Sequence, residues 1–398
     1  MSSTAPPIYD HGDIAWVLAS SALVFIMVPG VGYFYSGMAR SKNALSLIML
    51  SVLSVAVVSV QCMFAAITPA LAIGSAAERG RIIPTIIFIF LWTTLVYDVI
   101  ACWTWNPNGW ASKLGVLDYA GGTPVHISSG SAALAYALIL GKRNGHGTDE
   151  FKPHNVANVV LGTSLLWFGW FGFNGGSALA ANGRAAMACI VTNLSASVGG
   201  LTWCLMDYRL EKKLSALGFC SGAVAGLVAI TPGSGYVDFP SAVAFGFLGG
   251  FACNMAVKLK HLFDYDDALD VFAVHAVGGF VGNLLTGVFA SQSVIQMIDP
   301  NAPGGGGWIN RNWMQVVYQL SDSVAGMLYS FSVTYLILWI MDKIPGLSLR
   351  VDPESEAQGL DETELGELAY YHIDKFISCT KLSSEKVYDD VMDHKSIN

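Results

Sequence analysis

The chain has 398 residues, of which 53% are hydrophobic and only 13% charged, and its formal net charge is −8 at pH 7. That share of charge is about half of what soluble domains carry, so the chain cannot coat a soluble surface of its own size and calls for a lipid solvent. The acidic balance excludes a nucleic-acid binder built on a basic patch, and seven cysteines, six of them in apolar runs, exclude a disulfide-stapled secreted fold.

Apolar stretches of spanning length recur along the chain. They run Ile14–Gly37, Ala44–Gln61, Cys62–Ala77, Ile82–Trp105, Pro124–Gly141, Val156–Ser177, Ala185–Met206, Ser215–Thr231, Ser241–Val257, Leu269–Ser291 and Met314–Met341. The expected fold is therefore an all-α polytopic membrane protein with eleven transmembrane helices. Met1–Asp13 has no basic residue and the first run is too long for a signal core, so the first run is expected to stay as a span. Residues 1–342 read as the transmembrane domain and residues 343–398 as an aqueous tail with six Lys/Arg and twelve Asp/Glu.

Loop charges set the expected orientation. Twelve Lys and Arg fall in the loops on one side, from Arg40 to Lys260, against Lys113, Arg184 and Arg311 on the other. The twelve-charge side is expected to be cytoplasmic, with the N-terminus outside and the tail inside. The join between spans two and three is anomalous. As one helix, Ala44–Ala77 would be ~51 Å long against a core of ~30 Å, and as two spans it has no turn residues between them. The charge bias favours two crossings.

Two of the eight histidines, His126 and His275, sit within spans, where ionisable side chains are costly. They occupy spans five and ten, each beside small residues, with Asp118 eight residues before the first and Asp270 five before the second. Ten spans divide into two blocks of five, and an odd-numbered block reverses its topology on repetition. The histidines are then candidates for equivalent positions in two five-helix inverted repeats, with one additional helix. From spacing alone they read as readily as two unrelated buried histidines bonded to backbone. Trp103, Trp105 and Trp110 cluster at the end of span four, as an interfacial belt or as a face for a cation. Phe64 and Phe173, taken alone, read as packing, as do Gly169, Gly172, Gly175 and Gly176 on span six. No GxSxG, HExxH, CxxC or phosphate-loop pattern occurs, and Gly304–Gly307 lacks the following Lys-Ser or Lys-Thr. No enzyme activity, cofactor or metal is expected.

At these residues the chain resembles the ammonium transporter family, the Amt/Mep/Rh group, and within it the fungal high-affinity ammonium permeases. The matching stretches are VPGVGYFYSGMARSKNALSLIM, FAAITPALAIGSAAERGR, ACWTWNPNGW, LDYAGGTPVHISSG, GWFGFNGGSALAANGRA and DDALDVFAVHAVGGFVGNLLTGVF, and IPGLSLRVDPESEAQGLDETELGELAY carries the likeness into the tail. The resemblance implies a plasma-membrane homotrimer with one pore per subunit, conducting ammonium/ammonia and accepting methylammonium. It implies an external ammonium site at Trp105, Phe64 and Ser177, and a gate of Phe64 and Phe173. It implies pore and proton-relay histidines at His126 and His275, and Asp118 as an electrostatic support that does not touch the ion. Membrane lipid and a regulatory cytoplasmic kinase are the other expected partners; nucleic acid is not.

The chain departs from the family at Gln61–Cys62, where the end of span two, an external loop and the start of span three are missing. Val99 stands where Pro is usual. An inactive variant is therefore one alternative to a permease, and an ammonium sensor signalling through the tail is another; a Rhesus-type gas pore fits the fungal-like motifs less well. The acidic run Glu362–Glu367 is expected to dock on basic loops such as Lys212 and Lys213. Ser378, Thr380, Ser383 and Ser384 are candidate phosphorylation positions.

Overall fold

The computed structural model describes residues 10–58, 63–148, 151–298 and 305–370. Among the described residues the regular structure is helical, with a single isolated bridge between Gly80 and Arg350. Eleven apolar helical segments follow the predicted order. Nine are long and apolar enough to cross a membrane; the other two, Met63–Ala76 and Ala216–Ile230, are shorter.

We number the apolar helices α1 His11–Met38, α2 Ala44–Val58, α3 Met63–Ala72, α4 Ile82–Trp92, α5 Ser128–Leu140, α6 Val156–Gly176, α7 Gly183–Glu211, α8 Ala216–Ile230, α9 Phe239–Ala256, α10 Gly278–Phe289 and α11 Met314–Lys343. A π-helical turn at Thr93–Tyr97 carries α4 into an outer half, Asp98–Trp105. The Gln61–Cys62 junction and the candidate phosphorylation positions lie outside the described residues.

Small residues bring the helices together. α1 packs along α6 because Gly169, Gly172 and Gly176 let Met27, Leu23 and Ser20 approach the α6 backbone. The decisive crossing is between the two histidine-bearing segments. A Cβ on Gly130 would meet the backbone nitrogen of Ala276 at 2.2 Å, and one on Gly279 would meet the Gly122 carbonyl at 2.9 Å and Cβ of His126 at 3.0 Å. Each glycine is the fourth residue after its own histidine, so each half packs its glycine against the other half's histidine turn.

The correspondence between halves runs deeper. Gly122–Ile127 and Phe272–Val277, which carry the histidines, are both π-helical. Asp118 accepts from the backbone N–H of Gly121, Gly122 and Thr123 at 2.7–2.8 Å. Asp267 accepts from that of Phe272 at 2.7 Å. Both aspartates lie eight residues before a histidine. The counterpart of Asp118 is thus Asp267, and the pairing with Asp270 that spacing suggested is corrected. Asp270 instead takes the left-handed corner held in the first half by Gly121 (φ 59° against 111°) and pairs with Lys260 at 2.6 Å. The two turns lie at opposite ends of the bundle. Asp118 is beside Trp105, whereas Asp267 follows Asp266, which sits in a buried charge cluster at the other end.

That cluster gathers the basic loops. Arg143 pairs with Asp266 at 2.8 Å and with Glu78 at 3.2 Å, and Arg40 pairs with Glu78 at 2.7 Å. Burial alone would raise Asp266, but the Arg143 hydrogen bonds and the charges of Arg79 and Arg143 outweigh it and hold the carboxyl well below the usual range.

The first part of the tail folds over the same end. Asp361 accepts from the backbone N–H of Leu45 and Ser46 at 2.9 and 2.8 Å, and Glu364 from that of Ile82 at 3.0 Å. These carboxylates cap α2 and α4, which begin without capping side chains of their own. Lys42 donates to the carbonyls of Glu356 and Ala357, and Arg350 joins the Leu140 carbonyl to Glu356. Docking therefore occurs, but on helix starts and on Lys42 and Arg81, whereas Lys212 and Lys213 lie exposed at the end of α7 and make none of the tail's described contacts.

Candidate functional site

The outer half of α4 sorts the three tryptophans by direction. Trp103 and Trp110 pair at 5.9 Å, and Trp103 meets Tyr329 edge-on at 4.8 Å. Trp105 turns the other way, donating its indole N–H to the Asp118 carbonyl at 2.9 Å and presenting its ring to Phe64, 6.2 Å between centroids. The Asp118 carboxylate is taken up by the three amides that open the next helix, so it orients that start and is not offered to a ligand.

Trp105, Phe64 and Ser177 line one cavity of about 600 Å³ at the outer end of the bundle. Ser177 ends α6 and donates its hydroxyl to the Phe173 carbonyl at 2.8 Å. With its proton committed there, the oxygen has only lone pairs left to present, which suits a ligand that donates. The indole face adds attraction for a cation of about 0.5–2 kcal/mol.

Phe64 lines this cavity and stacks on Phe173 behind it, with centroids 4.0 Å apart and planes at 21°. Phe173 is 1% exposed. His126 lies 6.1 Å beyond Phe173, and His275 follows, with Nδ1 to Nδ1 at 3.2 Å. A second cavity, about 30 Å³, touches His275 on its far side together with Tyr35, Trp203 and Asp270. The predicted residues are thus brought together in one series of contacts, with Trp105 and Ser177 on the outer cavity, then Phe64 and Phe173, then His126 and His275, and with Asp118 bonded beside Trp105.

Three contributors were not singled out from sequence. Trp170 stacks on His126 at 5.5 Å and is held by Thr231 at 2.9 Å; it lies three residues before Phe173, on the same helix face. Thr123 donates to Asp322 and receives a bond from Asn283 at 2.7 Å, tying the first histidine turn to α10 and α11. Asp267 was hidden by the nearer Asp270. Among the described residues no group of three metal-ligating side chains occurs.

These features define a polytopic helical membrane protein in which an outer cavity, a stacked phenylalanine pair and two paired histidines follow one another. The family model described as Ammonium Transporter Family matches residues 15–62 and 57–370. Ammonium transporter 1 of Schizosaccharomyces pombe is 52% identical over 415 residues, covering 92% of this chain and 84% of its own. Ammonium transporter MEP2 of Saccharomyces cerevisiae is 43% identical over 418 residues, covering 91% and 84%. The crystal structure of Candida albicans Mep2 superposes with a TM-score of 0.83 at 42% identity, covering 87% of this chain and 88% of that one. The chain belongs to the ammonium transporter family. The family match falls in two pieces that overlap over residues 57–62, across the Gln61–Cys62 junction. In the S. pombe comparison 92% of 398 residues is about 366, so about 49 of the 415 aligned positions have no residue here.

Proposed function

We propose that this protein takes up ammonium across the plasma membrane, as a homotrimer with its N-terminus outside and its tail in the cytoplasm. The observation that carries the reading is the succession of contacts from Trp105 to Phe64, Phe173, His126 and His275. Ammonium and potassium share a charge and a similar size, so charge alone cannot separate them. Ammonium donates hydrogen bonds and can lose a proton. The indole of Trp105 attracts either cation, but the Ser177 oxygen accepts a hydrogen bond that only ammonium offers.

Beyond Phe64 and Phe173 this succession is buried and apolar. Carrying a bare ion onward there costs far more than carrying a neutral amine. Deprotonation at the phenylalanine pair therefore favours ammonia as the moving species. The imidazoles of His126 and His275 accept its hydrogen bonds and relay the released proton, their Nδ1–Nδ1 contact supplying the bridge. Methylammonium, with one methyl in place of a proton, fits the same site.

The test is expression in yeast lacking its own ammonium uptake. Growth on low ammonium and saturable methylammonium uptake are expected. Absence of both, with the protein present at the cell surface, overturns the reading and favours an inactive variant.

A further inference from the structure

Between Met314 and Met341, α11 carries one acidic or basic side chain, Asp322, and it is 1% exposed. A carboxyl buried within a span is costly and calls for a reason. Among the described residues no basic side chain pairs with it: the Thr123 hydroxyl donates to Oδ2, and Oδ1 has no hydrogen-bond partner.

Asp322 belongs to a stripe. Gln315, Gln319, Asp322, Gly326 and Ser330 follow one another at helical spacing and share one face of α11. That face lies along the first histidine segment. Gln315 donates to the Gly115 carbonyl at 2.8 Å. Gln319 donates to the Leu117 carbonyl at 2.7 Å and accepts from the Leu117 N–H at 2.8 Å, and Ser330 donates to the Ser128 carbonyl at 2.6 Å. At Gly326 an added Cβ would meet Cγ2 of Thr123 at 2.3 Å, so the missing side chain is what lets the threonine turn lie against α11. Asn283 of α10 completes the hold, donating to Thr123 at 2.7 Å and to Ser323 at 2.8 Å.

The second histidine segment has no such support. Phe272 stands where Thr123 does, five residues after its aspartate and three before its histidine. Among the described residues no side chain of α11 bonds to residues 267–277. The helix outside the two repeats therefore fastens one histidine turn and leaves the other to its own half.

We propose that Asp322 is a positioning residue for the histidine relay: through Thr123 it fixes the turn that aims His126 at His275, and it does so by its acceptor oxygen rather than by its charge. The relay rests on the function argued above; the fixing of the turn rests on the contacts alone.

The test is amide hydrogen–deuterium exchange of the purified full chain in phosphatidylcholine vesicles, beside methylammonium uptake normalised to surface protein. In Asp322→Ala, exchange over residues 119–130 is expected to quicken about fivefold or more, with residues 268–280 unchanged. Maximal uptake is expected to fall about tenfold at an unchanged half-saturating concentration, because Gln319 still holds Leu117 next to the Asp118 carbonyl that anchors Trp105. Asp322→Asn keeps an acceptor for Thr123 and is expected to bring both measurements back to within about twofold of the unsubstituted protein. Thr123→Val removes the donor and keeps the shape; it is expected to reproduce the alanine variant, and it decides the case where Asp322→Ala does not fold. Ser321→Ala, on the exposed side of α11, should change neither measurement. Unchanged exchange over residues 119–130, equal quickening of both histidine segments, or full uptake from a loosened turn overturns the proposal. An asparagine variant as impaired as the alanine one overturns it in favour of charge. If the unsubstituted chain takes up no methylammonium, the function argued above falls, and the exchange pattern alone decides whether Asp322 fixes the turn.

Discussion

Nδ1 of His126 and Nδ1 of His275 lie 3.2 Å apart, so one ring must donate and the other accept. On the function proposed above, the two imidazoles share one proton at this contact and act as a unit. Replacing either with alanine strands the partner's nitrogen in a buried site, at a cost of about 1–3 kcal/mol. Methylammonium uptake, normalised to surface protein, is expected to fall roughly tenfold or more in His126→Ala and in His275→Ala. The double variant should lose no more than the worse single one; losses that multiply would show that the rings work separately.

Trp105 holds its ring by a bond from its indole N–H to the Asp118 carbonyl. Trp105→Leu keeps an apolar side chain but removes both the anchor and the π face. The concentration of methylammonium giving half-maximal uptake is expected to rise about 2- to 30-fold, the range of a cation–π contribution of ~0.5–2 kcal/mol. An unchanged value would mean that the ion is recruited elsewhere.

The crossing of α5 and α10 depends on the missing side chain at Gly130. A Cβ there runs into backbone, which cannot swing away as a side-chain tip can. Gly130→Val is expected to abolish the monodisperse peak in detergent chromatography or to lower the melting temperature by several degrees, an overpacking cost of about 1–3 kcal/mol or more. Gly183→Ala, where an added methyl meets nothing within 4 Å, should leave the profile unchanged.

Burial, and then the charge of Asp270, push Asp267 up to about 6, against the backbone hydrogen bond from Phe272. Its Oδ1 is buried without a hydrogen-bond partner. A carboxyl raised above its unfolded value of ~3.9 binds a proton in the native state first. Stability from this group therefore increases as pH falls from 7 through 6 towards 4, by up to about 3 kcal/mol, and is lost again as pH rises. Asp266, held well below the usual range, works in the opposite sense and only at lower pH, as its native ion pairs are protonated. Thermal melts of the protein and of Asp267→Asn between pH 4.5 and 7 should converge at the acid end of that window, with the variant flatter. Parallel curves would show that Asp267 is not the titrating group.

The helix order and the convergence of Trp105, Phe64, Phe173, His126 and His275 were readable because both rest on side-chain type: long apolar runs, and a few aromatic and histidine motifs. What escaped rests on backbone. Asp267 could not be told from Asp270 by charge, since the distinction is that one caps a helix and the other occupies a left-handed corner. The eight-residue interval shared with Asp118 was the available signal. The tail's carboxylates were matched to lysines by sign, yet Asp361 and Glu364 meet amide hydrogens, which no charge pattern displays. The clue lay in α2 and α4, which open on Ala44 and Ile82 without a capping residue. Trp170 was overlooked because a tryptophan in an apolar helix reads as packing until its neighbour is known.

The turn built on Asp118 and the turn built on Asp267 are one device used twice, entered from opposite ends of the bundle. On the function proposed above, a conduit lined by such a pair carries no arrow of its own at its centre. Whether nitrogen enters or leaves the cell by this route is then decided by the gradients on either side, and any one-way behaviour has to come from the unlike ends.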